Sequence, residues 1–126
     1  MLQPPGLVMS LLLAAIIVVG NTLTLVAIHG SAAGRFGPFS GILGVRTAAT
    51  RSSEAAWQAA HRAAWPWALG CNGAAIVAAA VGGMLGTTVT PFLVLMGLAI
   101  AASLAGAVAQ IVVGHRAAVR ELGDSK

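Results

Sequence analysis

The chain has 126 residues, of which 58% are hydrophobic and only 8% are charged, and its formal net charge is +4 at pH 7. A soluble domain carries about 25% charged residues, so this composition excludes an ordinary water-facing surface. The 7 Lys and Arg residues fall in two separate blocks, too few for a nucleic-acid footprint, and we expect no nucleic-acid partner. A single cysteine also excludes an internal disulfide. The sequence predicts an integral membrane protein whose first partner is the lipid bilayer.

Three uncharged apolar stretches are each long enough to cross a bilayer, which takes about 20 helical residues. The predicted spans are about 7–29, 64–86 and 91–113, within a single membrane domain covering residues 1–126. The short link between the second and third spans predicts an antiparallel helical hairpin. A cleaved signal peptide is the alternative for the first span, but that stretch lacks a basic n-region and exceeds the usual apolar length of about 7–15 residues. The predicted fold class is an all-α membrane protein with three transmembrane helices.

The basic residues predict the orientation. All of them lie in the loop 34–63 or in the tail 114–126, and Lys and Arg accumulate on the cytoplasmic side of membrane proteins. The sequence therefore predicts the inner (cytoplasmic) membrane, with the N-terminus outside and with the loop and the C-terminus in the cytoplasm. These basic residues are Arg35, Arg46, Arg51, Arg62, Arg116, Arg120 and Lys126.

The first half of the loop is rich in glycine and apolar rather than hydrophilic, which favours an interfacial or partly re-entrant segment. Its large apolar residues are Phe36, Phe39, Ile42 and Leu43. The second half predicts a short cytoplasmic helix leading into the second span, with Ser52 or Ser53 as its N-cap. Pro66 predicts a kink where the two meet.

Three ring-bearing residues, Trp57, His61 and Trp65, recur every four residues in this short helix and therefore share one face. This stripe is typical of an anchor at the membrane interface. The alternative is a recognition face that binds a partner.

The loop also carries a motif. Its residues are Gly44, Val45, Arg46 and Thr47, followed by Thr50, Ser53, Glu54, Trp57, His61 and Arg62. This string resembles the signature of the SdpI family of small bacterial integral membrane proteins, in which a G-[IV]-R-T element precedes a W-x-x-x-[HN]-R helix that leads into a span. Family members often have Asn four residues before the motif glycine, and this chain has Ser40 there. The resemblance implies that Gly44, Arg46, Thr47, Glu54, Trp57, His61 and Arg62 form a functional motif.

The family's named member confers immunity to a secreted peptide toxin and sequesters a repressor at the membrane. The resemblance therefore implies a membrane protein that gives immunity or stress protection by binding a peptide toxin or a signalling peptide. A regulatory protein is a further candidate partner. The alternative is an accessory subunit that stabilises a larger membrane protein complex.

Arg46 follows an apolar turn, where an unpaired guanidinium close to lipid would be costly. We expect it to pair with Glu54, the acidic residue of the loop, or with carbonyl groups at a helix C-terminus. The competing interpretation is that Arg46, Arg51 and Arg62 bind lipid phosphates.

Three amides, Asn21, Asn72 and Gln110, fall in the cytoplasmic half of the three predicted spans, one on each. Amides at matching depth can satisfy one another's hydrogen bonds, which predicts a structural polar cluster. The alternative is a polar vestibule beneath the arginine-containing loop, able to hold an effector or a peptide segment, with His29 at its rim.

Small residues recur every four positions in two spans and would let helices approach closely. They are Ala74, Ala78, Gly82 and Gly86 in the second span, and Gly97, Ala101, Ala105 and Ala109 in the third. We expect them to pack inside the hairpin, and homo-oligomerisation through one stripe is the alternative.

Catalysis finds no support in the sequence. The three acidic residues are Glu54, Glu121 and Asp124, and no nucleophile with its base, metal-ligand spacing or phosphate-binding loop is recognisable. We expect a protein that is not an enzyme and that has no catalytic residues, metal or cofactor.

Overall fold

The computed structural model describes residues 2–39 and 44–124. The described residues form three α-helices and no strand: α1 (Leu7–Ala32), α2 (Glu54–Gly83) and α3 (Thr90–Asp124). Each helix is long and apolar enough to cross a membrane, so the predicted fold class is confirmed and the chain is a multi-pass membrane protein. Ile42 and Leu43, predicted at the interface, lie outside the described residues, as do Ser40 and Lys126.

α2 is the central helix of the bundle. It packs along both α1 and α3, whereas α1 and α3 scarcely touch each other. Its packing face is built from alanines at four-residue spacing that are fully buried, and such small residues let helix backbones approach closely in lipid. The alanines are Ala56, Ala60, Ala64 and Ala68. Many large apolar side chains instead point outward, as Val8 and Leu104 do, which suits a hydrocarbon surrounding.

The end of the bundle away from the loop is held by close backbone contacts. The Ser10 hydroxyl on α1 donates to the carbonyl of Gly83 at 2.7 Å, and the Gly6 amide donates to the carbonyl of Gly86 at 2.9 Å. A Cβ atom at Gly86 would overlap the Ser10 side chain and would lie 2.7 Å from the Gly6 carbonyl. Glycine at position 86 is what allows the start of α1 to reach the α2–α3 link.

Two helices extend beyond the predicted spans on the side of the loop. α2 has 30 residues and begins ahead of the predicted span 64–86, and α3 has 35 residues and continues past residue 113. A bilayer needs only about 20 residues, and the charged residues of both helices lie in these extensions. The predicted short helix is therefore the beginning of α2 itself, which continues through Pro66 as one helix.

The expectation that the small-residue stripes pack inside the hairpin is wrong for α3. Gly97, Ala101 and Ala105 are exposed, and no atom lies within 4 Å of a Cβ built on Gly97. In α2 the stripe is divided: Gly82 is buried against α3, whereas Ala74 is exposed. The packing face of α3 is instead formed by Phe92, Met96, Ala99, Gly106, Gln110 and Gly114. A stripe of small residues permits close approach, but it does not decide which side of a helix turns inward. The buried face of α3 has small residues of its own, Ala99, Gly106 and Gly114, together with the polar Gln110.

Candidate functional site

The motif folds into a compact turn ahead of α2, residues 44–53, which we call the motif turn. Thr47 and Thr50 bond reciprocally: the Thr47 amide donates to Thr50 Oγ1 at 2.9 Å, and the Thr50 amide donates to Thr47 Oγ1 at 3.2 Å. The Thr50 hydroxyl donates in turn to the carbonyl of Val45 at 2.8 Å and is fully buried. Such side-chain bonds to the backbone give the turn a defined shape without regular secondary structure.

His61 attaches the motif turn to α2. Its Nε2 accepts a hydrogen bond from the Val45 amide at 2.9 Å, and its Nδ1 lies 2.7 Å from the carbonyl of Trp57. An Nε2 that accepts must carry a lone pair, so the imidazole is neutral and Nδ1 is the nitrogen that donates to Trp57. The ring is fully buried, and it therefore acts as a structural connector between the turn and the helix.

Trp57 connects the two halves of the loop. Its side chain is fully buried, and its indole N–H donates to the carbonyl of Phe36 at 2.8 Å. The Arg46 guanidinium carbon lies 5.1 Å from the centroid of the same ring, within the usual range of a cation–π contact. Trp57 is thus covered by the loop and by Arg46.

The predicted stripe on α2 therefore does not face outward. Trp57 and His61 are both fully buried, and only Trp65 is partly exposed. The interpretations of this face as an interfacial anchor or as a recognition surface are wrong for Trp57 and His61, because the loop folds back over the first turns of α2 and covers them.

Arg46 bonds to a loop carbonyl rather than to the expected carboxylate. Its Nη1 donates to the carbonyl of Pro38 at 3.1 Å, and within residues 2–39 and 44–124 no ion pair joins it to Glu54. Glu54 is exposed at the first residue of α2, beside the positive end of the helix dipole. A loop carbonyl also differs from the expected helix C-terminal carbonyls, because α1 ends at Ala32.

The motif residues thus fall into two groups. Gly44, Arg46, Thr47, Trp57 and His61 come together in one cluster. Glu54 and Arg62 are exposed, and Arg62 donates to Gln58 on its own helix at 3.1 Å. The cap residue is Ser53, whose hydroxyl accepts from the Ala56 amide at 3.0 Å.

The motif turn also rests on the extension of α3. Thr47 Oγ1 lies 2.9 Å from His115 Nδ1, and Ala49 packs against the buried cluster of Ala56, Ala60 and Ala118. On its other side Val45 packs with Ile28 of α1. The turn therefore contacts all three helices at one end of the bundle.

Acidification should destabilise the protein through His61, which precedes the predicted span 64–86. The pKa of His61 lies below its ordinary value. Burial is the largest cause, the hydrogen bond to the Trp57 carbonyl acts in the opposite direction, and the Arg46 charge lowers the pKa further. A depressed folded-state pKa means that the unfolded chain binds the proton first. The contribution of neutral His61 to the free energy of unfolding is thus complete above the ordinary imidazole pKa of about 6.5. At lower pH this free energy decreases by at most about 1.4 kcal/mol for each pH unit.

Thermal unfolding in detergent at pH 7.5 and 5.5 would measure this loss. His61→Gln keeps an acceptor for the Val45 amide but does not titrate, so its stability should depend less on pH. An equal pH dependence in the two proteins would contradict the role of His61.

The three intramembrane amides meet in a chain of hydrogen bonds. Gln110 Nε2 donates to Asn72 Oδ1 at 2.6 Å, and Asn72 Nδ2 donates to Asn21 Oδ1 at 2.7 Å. Asn21 Nδ2 donates to the Ile17 carbonyl at 2.8 Å and to Ser103 Oγ at 3.0 Å. The structure thus brings together the residues that the sequence placed at matching depth. We call this chain the amide network.

Ser103 is a member of the network that the sequence analysis missed. It lies on α3, on the side of α1, and its hydroxyl also bonds to the Ala99 carbonyl at 2.8 Å. Positions 103 and 110 are two turns apart and hence on the same helix face. That spacing was the signal that could have identified it.

A cleft of about 290 Å³ opens beneath the motif turn, between α1 and α3. Among the described residues, its polar lining is formed by Thr24, Arg46, Thr47 and Gln110, and its apolar lining includes Ala27, Ile28, Ala107 and Ile111. The cleft therefore joins the motif to the end of the amide network. It can accommodate a small group with one apolar part and one polar part.

His29 does not lie at the rim of this cleft, contrary to expectation. It lines a separate cleft with Arg35 and Trp65. Its ring stands edge-on to that of Trp65 with 4.9 Å between centroids, and its Nδ1 lies 3.0 Å from Arg35 Nη2. His29 follows Ile28, which lines the first cleft, and consecutive residues of a helix point in different directions.

Comparison with known proteins gives one match. Searches of curated proteins and of solved structures found none similar to this chain. The model of the SdpI/YfhL protein family matches residues 38–112, a segment that contains the motif turn, all of α2, and most of α3 including Gln110. The chain belongs to the SdpI/YfhL protein family.

Proposed function

We propose that this protein binds a membrane-active or signalling peptide in the cleft beneath the motif turn, and that this binding protects the cell that makes it. The observation that carries the proposal is the cleft itself, because residues of the family motif and of the amide network both line it. The family is not a known enzyme family, and a binding role requires no catalytic group. Immunity or stress protection is the biological outcome that fits such binding.

The chemistry of the cleft supports a peptide of amphipathic character. Ile28 and Ile111 offer apolar contact, while Arg46 offers charge and hydrogen-bond donors. Since α1 and α3 scarcely touch, an apolar peptide in the bilayer could approach between them. The proposal further includes the predicted orientation, in which the motif turn faces the cytoplasm across the inner membrane.

A protection assay tests the proposal. Bacteria that express the protein are challenged with a membrane-active apolar peptide, and the peptide concentration that halves growth is measured. Removing the arginine with Arg46→Met should lower the protection by about tenfold, the usual worth of a charged hydrogen bond. Arg35→Met is the matched control, because Arg35 is an exposed arginine of the same loop that lines the other cleft.

Protein amounts in the membrane must be equal, since Arg46 also contacts Trp57 and Pro38. Full protection by Arg46→Met at equal abundance would argue against the cleft as the binding site. An absence of protection by the wild-type protein, against a range of such peptides, would contradict the immunity function.

The exposed small-residue stripe of α3 favours a second candidate function, that of an accessory subunit in a larger membrane complex. Gly97, Ala101 and Ala105 face outward, where another transmembrane helix could pack closely. A partner subunit would then co-purify in mild detergent at constant stoichiometry, and bulky substitution at Ala101 would release it. If the same face instead forms a homo-oligomer, the purified protein should contain this chain alone, with a mass that is a multiple of the monomer mass.

A further inference from the structure

We propose that the cleft beneath the motif turn recognises the carboxyl terminus of an apolar peptide. In this arrangement the terminal carboxylate lies against Arg46, and the last peptide N–H donates to the side-chain oxygen of Gln110. The inference rests on the proposed function and specifies which part of the peptide is bound. It follows from the direction of the amide network, the charge of the cleft lining, and the size of the cleft.

The direction of the amide network is fixed by the backbone. The Ile17 carbonyl can only accept, so the group of Asn21 that faces it at 2.8 Å is the NH₂ group. The Asn21 oxygen must then face Asn72 Nδ2, and the Asn72 oxygen must face Gln110 Nε2. Each amide orientation determines the next one.

The network therefore ends on an acceptor. Gln110 is 4% exposed and lines the cleft, and the described residues place no donor on its Oε1. An acceptor oxygen on a largely buried side chain that borders a cleft favours a ligand that brings an N–H or O–H group. The last peptide N–H of a bound chain is such a donor.

The charge of the lining favours an anion beside that donor. Arg46 is a charged residue of the lining, and the described residues of the lining include no acidic one. Its guanidinium is oriented by the Pro38 carbonyl and lies over the Trp57 ring, so the charge has a defined position. Arginine in a fixed orientation suits a planar carboxylate.

The size of the cleft favours the end of a peptide. A volume of about 290 Å³ is at the lower limit of ordinary ligand pockets, too small for a folded helix. Its apolar walls, Ala27, Ile28, Ala107 and Ile111, suit an aliphatic terminal side chain. One carboxylate, one N–H and one apolar side chain are the three groups that a terminal residue brings.

The test compares two forms of one probe. The full-length protein in nanodiscs of neutral lipid is titrated near pH 7 with the fluorescent peptide Leu-Ala-Leu-Val, once with a free carboxylate and once with a carboxamide. The free acid should bind at least about tenfold more tightly, the usual loss when a charged hydrogen-bond partner is removed. Equal affinity of the two forms would overturn the inference.

A pair of substitutions locates the binding. Ala107 and Ala105 are both exposed on α3, but only Ala107 lines the cleft, whereas Ala105 lines a groove on another face. Ala107→Trp should fill the cleft and abolish binding, while Ala105→Trp should bind as the wild type does. Since both positions are exposed, thermal unfolding should be alike in both variants. Loss of binding in both, or in neither, would place the peptide elsewhere.

Two further outcomes separate this inference from its alternatives. Displacement of the free-acid peptide by phosphatidylglycerol would assign the cleft to a lipid phosphate and would overturn the assignment to a peptide. In the protection assay, equal protection against the acid and amide forms of one toxic peptide would overturn the inference and leave the proposed function standing. Absence of protection against both forms would contradict the proposed function itself.

Discussion

Replacing Gly44 by alanine should destabilise the protein by about 3 kcal/mol or more, because two unfavourable terms add. The backbone at Gly44 has a φ of 112°, in the region that side-chain-bearing residues rarely adopt. A Cβ there would also lie 2.8 Å from His61 Nε2 and 2.9 Å from Trp57 Cη2. Both rings are fully buried and cannot move aside.

Thermal unfolding in detergent, followed by the fluorescence of the tryptophans, would measure this effect. Gly97→Ala is the matched control, because Gly97 lies in a regular helix with no atom within 4 Å of a Cβ built there. That control should unfold at the wild-type temperature or slightly above it, since alanine is the better helix former. A Gly44→Ala protein as stable as the control would show that the motif turn does not pack on His61 and Trp57 as described.

Replacing Asn72 by leucine should cost about 1–3 kcal/mol, although the two side chains are similar in volume. Asn72 is the middle member of the amide network: it donates to Asn21 and accepts from Gln110. Its loss leaves the Asn21 oxygen on α1 with only the Ser103 hydroxyl, at 3.3 Å, and leaves the Gln110 N–H on α3 without its acceptor. In lipid no water is present to replace either partner.

A double-mutant cycle would isolate this coupling. Gln110→Met removes the N–H that Asn72→Leu leaves unsatisfied, so the double variant should lose less stability than the sum of the two single losses. Thr22→Val is the control for replacing a polar side chain by an apolar one, because Thr22 is exposed and next to Asn21. It should change the unfolding temperature little. Strict additivity would indicate that the amides do not depend on one another.

The three long apolar helices and the meeting of the three amides could be predicted from the sequence, because both follow from distance along a helix. A helix has a constant rise per residue, so Asn21, Asn72 and Gln110 could be placed at one level before any contact was known. The charged blocks likewise limit where the lipid-embedded part of each helix can end. These properties depend on local chemistry alone.

The burial of Trp57 and His61 could not be predicted, since it depends on how the loop folds back. Periodicity shows which residues share a helix face, but it does not show what covers that face. The Arg46 partner was missed for a similar reason: a carbonyl such as that of Pro38 is present at every residue, and sequence chemistry does not distinguish one from another. The stripe of α3 was assigned to the wrong side because small residues are compatible with either environment.

The contacts between the motif turn and the α3 extension impose an order on biosynthesis. Thr47 reaches His115, and Ala49 packs near Ala118 and Leu122, so residues far apart in translation complete one structure. The turn leaves the ribosome well before the part of the chain on which it rests. Its final shape can form only after the helical hairpin has been inserted. A chain stalled before α3 would leave Thr47 without His115, and Ala56 and Ala60 without Ala118.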